Sequence, residues 1–150
     1  MNVKKPIIVT GSGRSGTHWL AGVLSHFMDA RHESDELVGD IVVSCRLNQR
    51  VQELRGGHRV VHLIRDGRDV VRSQDTAYEG RRPFATTCQV WADIIDGCGD
   101  VETVRLEDLT RPADASGRHI LPHWTEWGTD HTETFWRICG DQMRRHGYER

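Results

Sequence analysis

The sequence predicts an α/β fold of three layers, a mainly parallel central sheet flanked by helices. Three observations predict it. A short β-branched run ends at a glycine and leads into a stripe of helical period; the same strand, turn and helix order returns around residues 59–73; and the remaining apolar segments alternate between the two periods. With 150 residues, the chain suits one compact core, so residues 1–150 are expected to form a single domain.

The elements follow in order. Pro6 to Thr10 reads as a buried parallel strand running into the loop Gly11-Ser12-Gly13-Arg14-Ser15-Gly16-Thr17. Trp19, Leu20, Val23, Leu24 and Phe27 then recur as one face of an amphipathic helix. A polar stretch from Ala30 to Asp40 precedes Ile41-Val42-Val43, an apolar run too short to distinguish strand from helix, and a helical segment from Leu47 to Leu54 closed by Gly56-Gly57. Arg59 to Ile64 is the clearer second strand. It turns through Arg65-Asp66-Gly67-Arg68 into a helix carrying Val70, Val71 and Ser73. Phe84, Cys88, Trp91 and Ile95 mark another helix, Val101 to Leu106 a third strand, and Phe135, Ile138, Cys139 and Met143 a last helix closed by Gly147. Thr110 to Thr129 has no clean period and reads as a long loop over one face of the sheet.

Composition excludes several classes of function. Lys and Arg number 20 against 22 Asp and Glu, a formal charge of −2, so no nucleic-acid partner is expected. No apolar run approaches the roughly 18 residues that span a bilayer, and no secretory signal is visible, so no membrane partner is expected. Cys45, Cys88, Cys98 and Cys139 are widely spaced with no C-x-x-C, which fits neither a zinc knuckle nor a disulfide framework. A cytoplasmic location follows as the expectation. His119 and His123 are four apart, but Pro122 between them breaks any helix that would align them, so no metal site is predicted.

Gly11 and Gly16 enclose four residues between a strand and a helix, the frame of a P-loop, in which backbone N–H groups and the helix N-terminus point at an anion. The triphosphate version continues with Lys and Ser or Thr. Here Thr17 and His18 follow, so metal-assisted ATP or GTP chemistry is disfavoured. The cation sits inside the loop instead, as Arg14, whose planar guanidinium suits phosphate or sulfonate oxygens.

Gly13-Arg14-Ser15-Gly16-Thr17-His18-Trp19 resembles the 5′-phosphosulfate loop of sulfotransferases that use 3′-phosphoadenosine 5′-phosphosulfate (PAPS), with Gly13 in place of the usual Pro and His18 in place of a second Thr. The resemblance implies a three-layer P-loop-type fold. It also implies that Arg14 meets the 5′-phosphate and bridging oxygen, that Ser15, Gly16 and Thr17 surround the phosphate, that His18 donates to it, and that Trp19 stacks on adenine. Val61 to Ser73 is similar to the family's 3′-phosphate motif, a strand-end Arg with a Ser eight residues later, here Arg65 and Ser73. Val104-Arg105-Leu106-Glu107-Asp108-Leu109 resembles a third, late-strand patch, and the Gly147-Tyr148 ending resembles the family's closing segment. The family's basic C-terminal clamp on the 3′-phosphate is absent, leaving Arg118 as the candidate substitute.

The implied activity is sulfonate transfer from PAPS to an acceptor hydroxyl or amine, with adenosine 3′,5′-bisphosphate (PAP) as the product. The acceptor, whether small molecule, sugar or peptide, is not encoded in any recognisable pattern. Arg14 would neutralise the leaving phosphate, and the sulfonate's low charge demands no Mg²⁺. For the acceptor's proton, the family's practice of placing a Glu at this distance beyond the loop implies Glu33 as general base, with His32 as the alternative and His123 as a third choice. Two readings compete: a P-loop kinase or phosphotransferase using Mg-ATP, and a PAP-binding module without turnover.

Overall fold

The computed structural model describes residues 5–77, 81–110 and 124–150, with the backbone of residue 123. Along the chain run β1 Ile7–Thr10, α1 Thr17–Leu24, β2 Ala30–His32, β3 Ile41–Val43, α2 Val51–Leu54, β4 Val60–Ile64, α3 Gly67–Ala77, α4 Phe84–Cys98, β5 Glu102–Arg105, α5 Leu106–Leu109 and α6 Thr129–Arg145. Two 3-10 turns, Cys45–Arg50 and His123–Glu126, complete the described elements. Arg118, His119, Pro122, the side chain of His123 and most of the long loop expected at Thr110–Thr129 lie outside the described residues.

The five strands form one sheet in the order β2-β3-β1-β4-β5 with every neighbouring pair parallel. Ile8 lies opposite both Val42 and Val60, and Val9 opposite both Val43 and Val61. Alternate residues therefore serve opposite faces. On one face Val9, Ile41, Val43 and Leu63 pack with Ala21, Leu20 and Leu24 of α1. On the other, Ile8, Val42 and Val60 meet Leu47, Val51 and Leu54, while Ile64 joins the larger cluster of α3, α4 and α6 around Trp91, Phe135 and Met143. The expected three-layer α/β architecture is what the chain adopts. Each large side chain taken fully out of water in these clusters contributes about 2 kcal/mol. No helix among the described residues is long and apolar enough to cross a membrane.

Three local readings change, and one left open is settled. The polar stretch from Ala30 holds a three-residue edge strand, β2, because pairing with β3 supplies the ladder that its own composition does not. Ile41–Val43 is a fully buried strand, and the segment expected as one helix from Leu47 is a 3-10 turn running into α2. Ser44 Oγ starts that turn by accepting the Arg46 N–H at 3.2 Å. Helix α1 stops at Leu24, so the expected stripe divides: Leu20 and Leu24 face the sheet, whereas Trp19 is 42% and Phe27 80% exposed.

Candidate functional site

The chain leaves β1 for α1 on one face of the sheet and leaves the neighbouring β4 for α3 on the other. That divergence opens a crevice beyond the carboxyl ends of the strands, the place where parallel α/β sheets receive ligands.

The loop from Gly11 to Gly16 occupies the β1 side. Arg14 has φ 74 and Gly16 φ 97, so the chain twice enters the left-handed region before α1 begins. For Arg14 this is a costly conformation that the surroundings must enforce. Gly16 is required twice over, since a Cβ there would also sit 2.8 Å from Leu106 Cδ2. Helix α3 grips the loop from across the crevice: Gln74 Nε2 donates to the Gly13 carbonyl at 2.8 Å and Arg14 Nε donates to Ser73 Oγ at 2.8 Å. The hydroxyl of Ser15 is buried without a partner among the described residues. Beyond it, the first N–H groups of α1 have no intrahelical acceptor and face outward with the positive end of the helix dipole.

Arg65 leaves the end of β4 on the other side. Its Nη1 donates to the Arg14 carbonyl at 3.3 Å and its Nη2 lies 3.4 Å from Asp69 Oδ2. Burial, reinforced by Asp66 and Glu107, holds the Asp69 carboxyl above its ordinary pKa despite the opposing pull of Arg65. The turn itself is fixed from below, where Glu107 accepts the Asp66 N–H at 2.8 Å and the Tyr148 hydroxyl at 2.9 Å. Those contacts give the late-strand patch and the Gly147-Tyr148 ending a structural job. Arg68, by contrast, is clasped by Asp66 at 2.7 Å and lies 4.0 Å from the Trp124 ring centre, away from the crevice.

These groups surround a cavity of about 770 Å³, a volume suited to a nucleotide. Of the residues singled out above for nucleotide binding, Arg14, Gly16, Thr17, His18, Trp19, Arg65 and Ser73 line it; Ser15 is buried within the loop, and Arg118 lies outside the described residues. Asp69, Arg72 and Thr76 also line it and were not singled out. Their signal was present: with Ser73 they fall at i, i+3, i+4 and i+7, one face of α3.

Glu33 and His32 stand outside the lining. His32 packs edge-on against the cavity residue His18, with ring centres 4.9 Å apart, and its Nε2 is 3.8 Å from Glu33 Oε1. Glu33 itself has φ 50, accepts the Cys45 N–H at 2.8 Å and pairs with Arg46 Nε at 3.0 Å. Burial pushes its carboxyl up, but hydrogen bonds from Cys45 and Ser44 and the nearby His32 outweigh this and leave it below its ordinary value. The residue implied as general base is thus occupied and set back from the cavity. The described residues contain no cluster of three or more potential metal ligands.

Fold and crevice together define a parallel α/β protein with an anion-suited loop at its switch point. The crystal structure of mouse sulfotransferase SULT7A1 complexed with PAP is similar, with a TM-score of 0.51 and 15% sequence identity across 97% of this chain. This chain spans 60% of the length of that one. The likeness is one of fold, which is therefore sulfotransferase-like. No family model matches the sequence, and no curated protein matches it.

Proposed function

We propose that the chain binds PAPS and transfers its sulfonate group to an acceptor hydroxyl or amine. One observation carries this reading: two sets of anion-ready groups, the Arg14 loop and the Arg65/Ser73 pair, leave neighbouring strand ends and face one cavity of about 770 Å³. A ligand with anionic groups on both sides of a nucleoside answers that arrangement, and PAPS is such a ligand. Arg14, the backbone of Gly16 and Thr17, and His18 would hold the phosphosulfate end, Trp19 the adenine, and Arg65 with Ser73 the 3′-phosphate. Arg72, from the same face of α3 as Ser73 and 3.5 Å from the Glu126 carboxylate, also lines the cavity and would add a contact to the 3′-phosphate.

In the reaction, the bond from sulfur to the bridging phosphate oxygen breaks, the acceptor's oxygen or nitrogen takes the sulfur, and PAP leaves. Arg14 faces the charge that develops on the departing phosphate. The acceptor's proton passes by way of cavity-lining His18 to His32, whose ring centre lies 4.9 Å behind it and whose Nε2 is 3.8 Å from Glu33 Oε1. This ordering reverses the roles implied from sequence, because the Glu33 carboxylate already serves Cys45 and Arg46. Four free cysteines, three of them buried, fit a reducing compartment, and we place the chain in the cytoplasm.

Calorimetry tests the donor. Micromolar binding of PAP without Mg²⁺ is the expected result; preference for Mg-ATP would overturn it in favour of a phosphotransferase. Labelled PAPS with phenols, sugars and peptides then reads the acceptor, and PAP binding without turnover of any of them would point to a sensing module.

A further inference from the structure

The outer side of α6 carries a second cavity, about 390 Å³ in volume and lined by Glu133, Trp136, Arg137, Arg144 and Arg150. It lies in the layer opposite α1 and shares no lining residue with the crevice. Glu133, Trp136, Arg137, Gly140 and Arg144 fall at i, i+3, i+4, i+7 and i+11, one side of the helix, while Phe135, Cys139 and Met143 enter the core from the other. Three guanidiniums thus line one small cavity beside a single carboxylate. Their charges are mostly unpaired. Glu133 stands one turn before Arg137, a spacing that ordinarily forms an ion pair, yet neither makes an ion pair or hydrogen bond among the described residues, and nor does Arg150. Arg144 alone is held, its Nη2 donating to Asp141 Oδ1 at 2.6 Å.

Gly140 lets charge and aromatic surface meet in this cavity. A glycine inside a 17-residue helix costs stability relative to alanine, and its φ is not positive, so the backbone does not require it. A Cβ there would lie 3.2 Å from Arg144 Nη1 and 3.5 Å from Trp136 Cε3. Its absence lets a guanidinium and an indole edge close on the same notch. The Trp136 ring is a fixed platform, with Phe135 edge-on at 5.8 Å and Arg68 Cζ 5.7 Å from its centre. Beyond the nucleotide reading and independent of it, we propose that this notch is a second binding site, for a small phosphate monoester carried on an aromatic group. Guanidinium forks match the oxygens of a tetrahedral anion, and a dianion answers three of them better than a monoanion does. Trp136 receives the aromatic part. Glu133, at the edge of the arginine row, opposes an extended polyanion.

The probe is phenyl phosphate, titrated at low ionic strength and followed by the indole N–H resonance of Trp136, which is assigned by its loss in Trp136→Phe and reports this site apart from the crevice. A saturable shift is expected, with affinity about fivefold above that of inorganic phosphate, the scale of one aromatic contact. Phenyl sulfate, with a single charge, is expected to bind more weakly than phenyl phosphate. Arg137→Gln and Arg150→Gln, both at exposed positions, are each expected to weaken phenyl phosphate by about fivefold, as for a screened charged hydrogen bond. Arg14→Gln leaves it unchanged. Gly140→Ala should raise the thermal midpoint and yet weaken binding about threefold by crowding the notch, which separates a loss of site from a loss of fold. No saturable shift, or equal affinity in both outer arginine variants and the unaltered protein, overturns the site. Equal affinity for inorganic phosphate overturns the aromatic ester as its ligand, and tighter binding of phenyl sulfate overturns the choice of phosphate.

Discussion

Glu33 shows how a carboxylate in the expected position becomes a poor base. Its two oxygens already serve a backbone N–H and a guanidinium, and its pKa lies below the ordinary range, so its affinity for a proton is reduced where a base needs it raised. His32 stands directly behind cavity-lining His18, and its imidazole makes no hydrogen bond among the described residues. In single-turnover assays at saturating PAPS, His32→Ala is expected to slow sulfonate transfer by about a hundredfold, the usual scale of general base catalysis, with PAP affinity unchanged. Glu33→Gln is expected to cost about fivefold, because the amide oxygen still accepts from Cys45 while the ion pair to Arg46 is lost. A larger loss from Glu33→Gln than from His32→Ala would return the role of base to Glu33.

At the scale of elements, α3 does the most for the site, presenting one face to the cavity and holding the opposite loop through Gln74 and Ser73. Its placement rests on close contact with α4: a Cβ on Gly67 would lie 2.6 Å from Trp91 Cζ2, and Trp91 is fully buried. Gly67→Ala is therefore expected to destabilise by about 1–3 kcal/mol in denaturant unfolding. Combined with Trp91→Phe, whose smaller ring vacates that space, it should cost clearly less than the sum of the two changes. Strict additivity would show that the contact is not what sets α3. Much of this was legible in the sequence where the signal is local. The glycines at 11 and 16 and the Arg65–Ser73 spacing are properties of single segments, and they led to the cavity. Strand β2 was not legible, because a segment reading Ala30-Arg31-His32 is extended only by virtue of its pairing with β3. The engagement of Glu33 was hidden for the same reason: its partner Cys45 is brought to it by the end of β3. Arg72 and Thr76 were missed through not extending the helical period from Ser73.

For the molecule as a whole, acid sensitivity follows from a histidine in the sheet. His62 on β4 is 1% exposed, its Nε2 has no partner among the described residues, and burial together with the neighbouring His146 lowers its pKa from 6.5 to about 4. His146 is itself lowered by burial and by Arg145 and Arg105, so the surroundings oppose a charge on either ring. The unfolded chain takes up this proton near pH 6.5 and the folded chain only near 4. Stability that is fully present above pH 6.5 is thus lost as pH falls toward 4, by up to about 3 kcal/mol for a shift of this size. His62→Met, close in volume and without a titrating group, should flatten the unfolding free energy across that window. An unchanged slope would assign the acid sensitivity to other groups.

The strands that lead to Arg14 and Arg65, β1 and β4, are adjacent and parallel, and the sheet's own hydrogen bonds space them about 5 Å apart. On the reading proposed above, donor recognition is framed by two central strands of the sheet, while His32 stands on β2, the outermost strand, which meets β3 and α1. On that same reading, changes at that margin would retune what receives the sulfonate and how fast, with the gauge that measures the nucleotide left undisturbed.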